Sequence, residues 1–235
     1  MRLRSPLLAA LVVVLAVALA ALNAPCVWAV GDEPATVPKG AAGAPAQQTP
    51  DLQAKLVYND GIDEVRRADN AAAAAATAGA ARKASAADEA RTLYSTALGK
   101  FQQAVRLDPK LHAAWNYLGY THRKLGDYDD ALEAYEHALA LRPGYPEAIE
   151  YRAEAYLALK RIADAQQSYL DLFATNRAVA GKLLEAMKSW IVTQRSAGAG
   201  TDAAVNDLDK WVQERTQIAA LTALLTREGA AASWR

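Results

Sequence analysis

The chain has 235 residues, 52% of them hydrophobic, 22% charged and 7% aromatic, which is enough apolar content to bury the core of one domain. Lys plus Arg and Asp plus Glu each number 26, so no global basic field draws nucleic acid, and one cysteine excludes an intrachain disulfide and any cysteine-built zinc or iron–sulfur centre. The composition is neither collagen-like nor that of a disordered chain, and leaves an alanine-rich, helical body.

The N-terminus carries Arg2 and Arg4, and every residue from Leu7 to Leu22 is Ala, Val or Leu. A basic start, an apolar run and small residues ahead of Gly31-Asp32-Glu33 have the layout of a secretory signal, with cleavage expected after Ala29. As a helix the 16-residue run spans roughly 24 Å, short of the hydrocarbon core, although an uncleaved inner-membrane anchor stays open as the alternative. In either case the body is expected to be exported, to the periplasm or beyond, and it meets a membrane only through this segment. Pro25 directly before Cys26 argues against lipidation of that cysteine. Loss of Arg2 and Arg4 leaves 24 cations against 26 anions, a formal charge of −2.

Residues 30–51 follow with four prolines, three glycines and five alanines, and no aromatic; such a stretch buries too little to offset its ordering entropy and is expected to be a flexible tether. From Asp51 onward apolar residues fall at helical spacing and no alternating strand pattern persists.

An internal repeat of 34 residues dominates the centre of the chain. Between His112 and Tyr145 stand Trp115, Leu118 and Gly119, then His122, Ala131, Tyr135, Ala138 and Pro143. Trp115, Leu118 and His122 make one helical stripe, Gly119 and Ala131 are small where two antiparallel helices approach, and Pro143 ends the second helix. A shift of 34 upstream superposes Ala97, Phe101, Ala104 and Pro109; a shift of 34 downstream superposes Ile149, Ala153, Tyr156, Ala165 and Tyr169. These residues resemble the tetratricopeptide repeat, with His122 where tyrosine is usual. The resemblance covers residues 52–175 as about three repeats, and implies an all-α solenoid of helical hairpins.

The first repeat departs from this pattern. Val57-Tyr58-Asn59-Asp60-Gly61 resembles the segment around Gly119, yet the step from Gly61 to Ala97 exceeds that from Gly119 to Ala131 by 24 residues. The insertion, about residues 65–96, is alanine-rich, with 13 alanines between Ala68 and Ala87. Two readings stand: an elongated helical hairpin bent at Gly79, or a loose low-complexity loop. Residues 176–232 are expected to be a helical cap, with Leu183, Leu184, Met187, Trp190 and Ile191 on one face. A turn follows at Ser196–Gly200, then Val205, Leu208, Val212, Ala219, Leu221 and Leu225. Trp190 and Trp211 are expected as core anchors of that cap.

No enzymatic motif, metal-ligand spacing or cofactor loop emerges. Phosphate-loop, His-Glu-x-x-His and Gly-x-Ser-x-Gly patterns do not occur. His112 and His137 lie at opposite ends of the repeat and cannot share a metal without help, and His122 reads as a satisfied core histidine rather than a catalytic one.

A binding surface remains. The resemblance implies that the first helix of each repeat lines a groove for a partner's peptide or helix, at Lys55, Tyr58, Ile62 and Arg66, then Ala113, Asn116, Tyr120, Arg123 and Lys124, then Glu147, Glu150, Glu154 and Leu157. Of these, Tyr58, Asn116, Tyr120, Arg123, Lys124, Glu147, Glu150 and Glu154 are the expected partner-binding residues. Tyr58, Ile62, Tyr117, Glu147 and Tyr151 occupy the places where relatives that grip a chaperone's C-terminal carboxylate carry Lys, Arg and Asn, which argues against that activity. Glu147, Glu150 and Glu154 share one helical face, either a solvated acidic stripe or a seat for a partner's Lys or Arg. The sequence thus predicts an exported adaptor of the bacterial envelope, with a protein partner, no nucleic acid and no cofactor. An assembly factor of an outer-membrane or cytochrome maturation machine, or a self-associating or small-ligand-binding helical protein, are the alternatives.

Overall fold

The computed structural model describes residues 49–199 and 202–232, so the expected signal segment and nearly all of the expected tether lie outside the described residues. Among the described residues the secondary structure is helical, and no helix is long and apolar enough to cross a membrane. The chain divides after Leu107 into two compact units.

The first unit is a hairpin of two 28-residue helices, α1 (Pro50–Thr77) and α2 (Ala80–Leu107). Thr49 caps α1 by accepting a hydrogen bond from Leu52 N–H at 3.3 Å, and Pro50 supplies the first-turn residue whose missing N–H costs nothing there. Pro50 and Asp51, which composition assigns to the tether, are therefore already helix.

Tyr58 and Phe101 meet at 5.9 Å between ring centroids, and a Cβ on Gly61 would stand 2.7 Å from the Phe101 ring. Glycine is what lets the helices come this close. Beyond that contact Ala68, Ala71 and Ala75 continue the buried stripe of α1, facing a core side that includes Ala90 and Tyr94 on α2. The Tyr94 hydroxyl donates a short hydrogen bond to Asp69. The alanine-rich insertion is thus a helical arm rather than a loop, and the two helices separate at Ala78 and Gly79.

The second unit contains α3 (His112–Leu125), α4 (Tyr128–Leu141), α5 (Pro146–Ala158), α6 (Ile162–Thr175), α7 (Arg177–Gln194) and α8 (Ala203–Ala232). The first four helices pair as α3 with α4 and α5 with α6, while α3 neighbours α5 and α5 neighbours α7. Gly119 of α3 faces α4 so closely that a Cβ would lie 2.7 Å from the Tyr135 ring and 3.0 Å from the Ala131 carbonyl oxygen.

Gly126 ends α3 in the left-handed conformation (φ 95°), its N–H donating to the Arg123 carbonyl at 3.1 Å while Asp127 N–H donates to the His122 carbonyl at 2.9 Å. Gly144 (φ 76°) follows Pro143 in the turn to α5. Asn176 caps α7 by accepting from Val179 N–H at 3.1 Å.

A five-residue π turn at Arg195–Ala199, with Gly198 at φ 94°, leads toward α8. Val205, Leu208 and Val212 of α8 are buried, and Trp211 packs edge-on against Tyr169 at 5.3 Å. The cap stops there. Ile218, Leu221, Leu224 and Leu225 are 40–69% exposed, so the outer half of α8 does not cover the core that its helical spacing suggests.

Candidate functional site

The α3–α5–α7 side of the second unit collects the polar groups that a helical core ordinarily avoids. Arg123, near the end of α3, donates from Nη1 to Glu154 Oε2 on α5 at 2.7 Å, with side chains only 13% and 20% exposed. Its guanidinium also lies 5.2 Å from the Tyr120 ring centroid and 5.6 Å from that of Tyr151. The tyrosines form a continuous floor: Tyr117 to Tyr120 at 6.0 Å, Tyr120 to Tyr151 at 5.2 Å, and Tyr151 to Tyr135 at 6.4 Å. Guanidinium suits this seat because it is planar, stacks on aromatic faces and is more weakly hydrated than an ammonium.

The electrostatics follow from burial. Burial alone would lower the Arg123 pKa, but Glu154, Tyr135 and Tyr120 beside it outweigh burial and raise it, so the cation is fixed. Tyr135 and Tyr151 are both held above the ordinary phenol range, first by burial; Arg123 pulls against this at each.

Glu150 is 1% exposed and its Oε1 has no hydrogen-bond partner. Burial first, then the Glu154 charge, pushes its carboxyl up to about 8, against the opposing pull of Lys182 and Arg123.

The expected partner-binding residues separate on this geometry. Tyr58 belongs to the first unit and is buried against Phe101; Asn116, Tyr120 and Glu150 are buried in the second. Those four side chains lie deeper in the fold than repeat position implies. Arg123 and Glu154 are partly buried and paired with each other, Glu147 is half-buried in the first turn of α5, and Lys124 is exposed, its Nζ 5.3 Å from the Tyr120 ring centroid.

On α5, Glu154 takes its cation from within the chain and Glu150 feels Lys182 of α7, while Glu147 stands in the first turn. Tyr151, Tyr135 and Lys182 belong to the site although they were not among the expected binding residues. Arg123–Glu154 and Tyr120–Tyr151 share one offset of 31 residues, about a helical turn short of the 34-residue repeat, which only the structure reveals.

Elsewhere in the repeat, Trp115 stacks on His137 at 4.3 Å and donates from Nε1 to the Pro109 carbonyl at 2.9 Å. His112 contacts Arg142 at 3.2 Å and meets Tyr145 edge-on at 5.1 Å. Burial, then the Arg142 charge, lowers the His112 pKa. His122, expected as a satisfied core histidine, instead has a buried Nδ1 with no hydrogen-bond partner.

No curated protein matches the chain. The family model described as the tetratricopeptide repeat matches residues 112–145. That range is α3, α4 and the turn that leads to α5, with Gly119 against Tyr135 and Pro143 after the second helix, so this hairpin is similar to a tetratricopeptide repeat in sequence and in arrangement.

Proposed function

We propose that the chain is an exported adaptor whose second unit holds a segment of a partner protein across the face of α3, α5 and α7. A tetratricopeptide repeat points to protein–protein interaction in general. The observation that carries the finer reading is Glu150: a carboxyl 1% exposed, with one oxygen lacking a partner, beside the Arg123–Glu154 pair. Apolar residues of the same volume would stabilise such a core as well or better, so a polar floor here fits recognition more than folding. Because Arg123 and Lys182 already oppose the glutamates, the face suits a segment that brings hydrogen-bond donors rather than a run of basic residues. The signal-like N-terminus supports a place in the envelope, where the adaptor would serve a complex or its assembly.

An in-cell cross-linking pull-down on a C-terminally tagged chain tests this, run in parallel with a Glu150→Gln, Glu154→Gln variant. A dominant partner that is lost from the variant supports the reading. A partner retained at the same yield moves the interface off this face, and absence of any partner removes the adaptor.

A second reading, self-association, has its own support in the exposed Leu221, Leu224 and Leu225 of α8. Light scattering of the purified chain separates it: a monomer at working concentration rejects it.

A further inference from the structure

The tight turn between α3 and α4 brings three metal-ligating side chains together. His122 lies in the last turn of α3, Asp127 caps the start of α4, and Asp130 is in its first turn. His122 Nδ1 and one carboxylate oxygen from each aspartate all lie within 4.8 Å of one another. Nδ1 stands 3.6 Å from Asp127 Oδ2 and 4.0 Å from Asp130 Oδ2, both longer than a hydrogen bond.

The nitrogen is itself buried and has no hydrogen-bond partner, on a ring only 15% exposed, so it points at the two carboxylates across a gap. Ligand atoms about 2.1 Å from a tetrahedral ion stand about 3.4 Å apart, which small rotations of the exposed aspartates would reach. The backbone is already set, because Gly126 at φ 95° and the Asp127 N–H to His122 carbonyl bond tie the two ends of the turn together. Asp127 and Asp130 are 50% and 66% exposed, leaving room for water to complete a coordination shell.

We propose that His122 Nδ1, Asp127 and Asp130 form a three-ligand site for a first-row divalent transition cation, with Zn2+ as its representative. One imidazole and two carboxylates suit zinc and its neighbours, whereas Mg2+ and Ca2+ favour all-oxygen shells. Bound there, the ion clamps the α3–α4 turn of the repeat and supplies the partner that Nδ1 lacks.

Calorimetric titration of Zn2+ into the full chain, purified without a histidine tag, tests the site. The wild type takes one Zn2+ per chain, and His122→Tyr and Asp130→Asn each weaken that binding about tenfold or more. His122→Tyr places the residue usual for the repeat at this position, and circular dichroism checks that it keeps its helices. Asp130→Asn, at an exposed position, decides between the outcomes if the tyrosine variant misfolds. In 15N spectra of the imidazoles, the Nδ1 signal of His122 shifts with Zn2+ and does not shift with Mg2+. A wild type that binds no Zn2+ overturns the proposal, and so does binding that is unchanged in both variants, which marks an adventitious ion elsewhere.

Discussion

The α1/α2 and α3/α4 hairpins solve one packing problem at two lengths. Each sets its helix separation by placing a glycine of the first helix under an aromatic ring of the second, Gly61 under Phe101 and Gly119 under Tyr135. The short hairpin then turns at Gly126, whereas the long one runs on through an alanine-rich arm to Gly79. The contact, not the length, defines the hairpin. Once the glycine and the ring fix the distance, alanines at 68, 71 and 75 extend it because small side chains keep the helices equally close. They add little buried area, so the arm lengthens the first unit without strengthening its core in proportion.

If the two hairpins share that design, Tyr135→Ala and Phe101→Ala each cost about 3–5 kcal/mol, measured by urea unfolding. A Phe101 variant far milder than its counterpart would break the equivalence.

The second unit is also set apart by its buried acid. Glu150 titrates at about 8 in the fold, above the ordinary carboxylate range, so the native state keeps a proton that the unfolded chain releases near pH 4. Stability is therefore full below that unfolded value and declines as pH rises through about 8. Glu150→Gln should flatten the decline and recover up to about 5 kcal/mol at alkaline pH, read from unfolding curves across the range.

Gly119→Ala should cost about 2 kcal/mol and Gly61→Ala about 1, since the new methyl meets a backbone carbonyl as well as a ring at the first site and only the Phe101 ring at the second. The two turns give the smallest effects. Gly126→Ala costs about 1 kcal/mol because of its positive φ, while Gly79→Ala is neutral within about 0.5 kcal/mol, having open space and no such φ. The melting temperature should be lowest for Gly119→Ala, intermediate for Gly61→Ala and Gly126→Ala, and highest for Gly79→Ala.

The repeat was legible because its signals are local or spaced by 34. Gly119, Ala131, Tyr135 and Pro143 announce a close hairpin and its end, and the structure places them so. Gly79 in an alanine run announced a bend but could not choose between arm and loop, since alanine's helix propensity says nothing about whether another helix is there to pack on. The site was less legible. Helical spacing sees one helix at a time, so Glu147, Glu150 and Glu154 read as an unopposed stripe, while Arg123 arrives from the neighbouring α3. Position in a repeat tells which way a side chain points but not how deep it lies, which is why Asn116 and Tyr120 were expected on an open surface. The periodicity of α8 continues past Val212, yet Leu221 and Leu225 are exposed, because a pattern of apolar residues does not supply the surface they would cover.

Site-specific photo-cross-linking tests the central claim, that the α3–α5–α7 face receives a partner, most directly. A photoreactive residue at position 124, exposed at the end of α3, is compared in cells with one at position 95, exposed on the arm. The account predicts a discrete partner adduct from position 124 that disappears with Glu150→Gln, Glu154→Gln, and none from position 95. Adducts from position 95 alone, or from neither position, would contradict it.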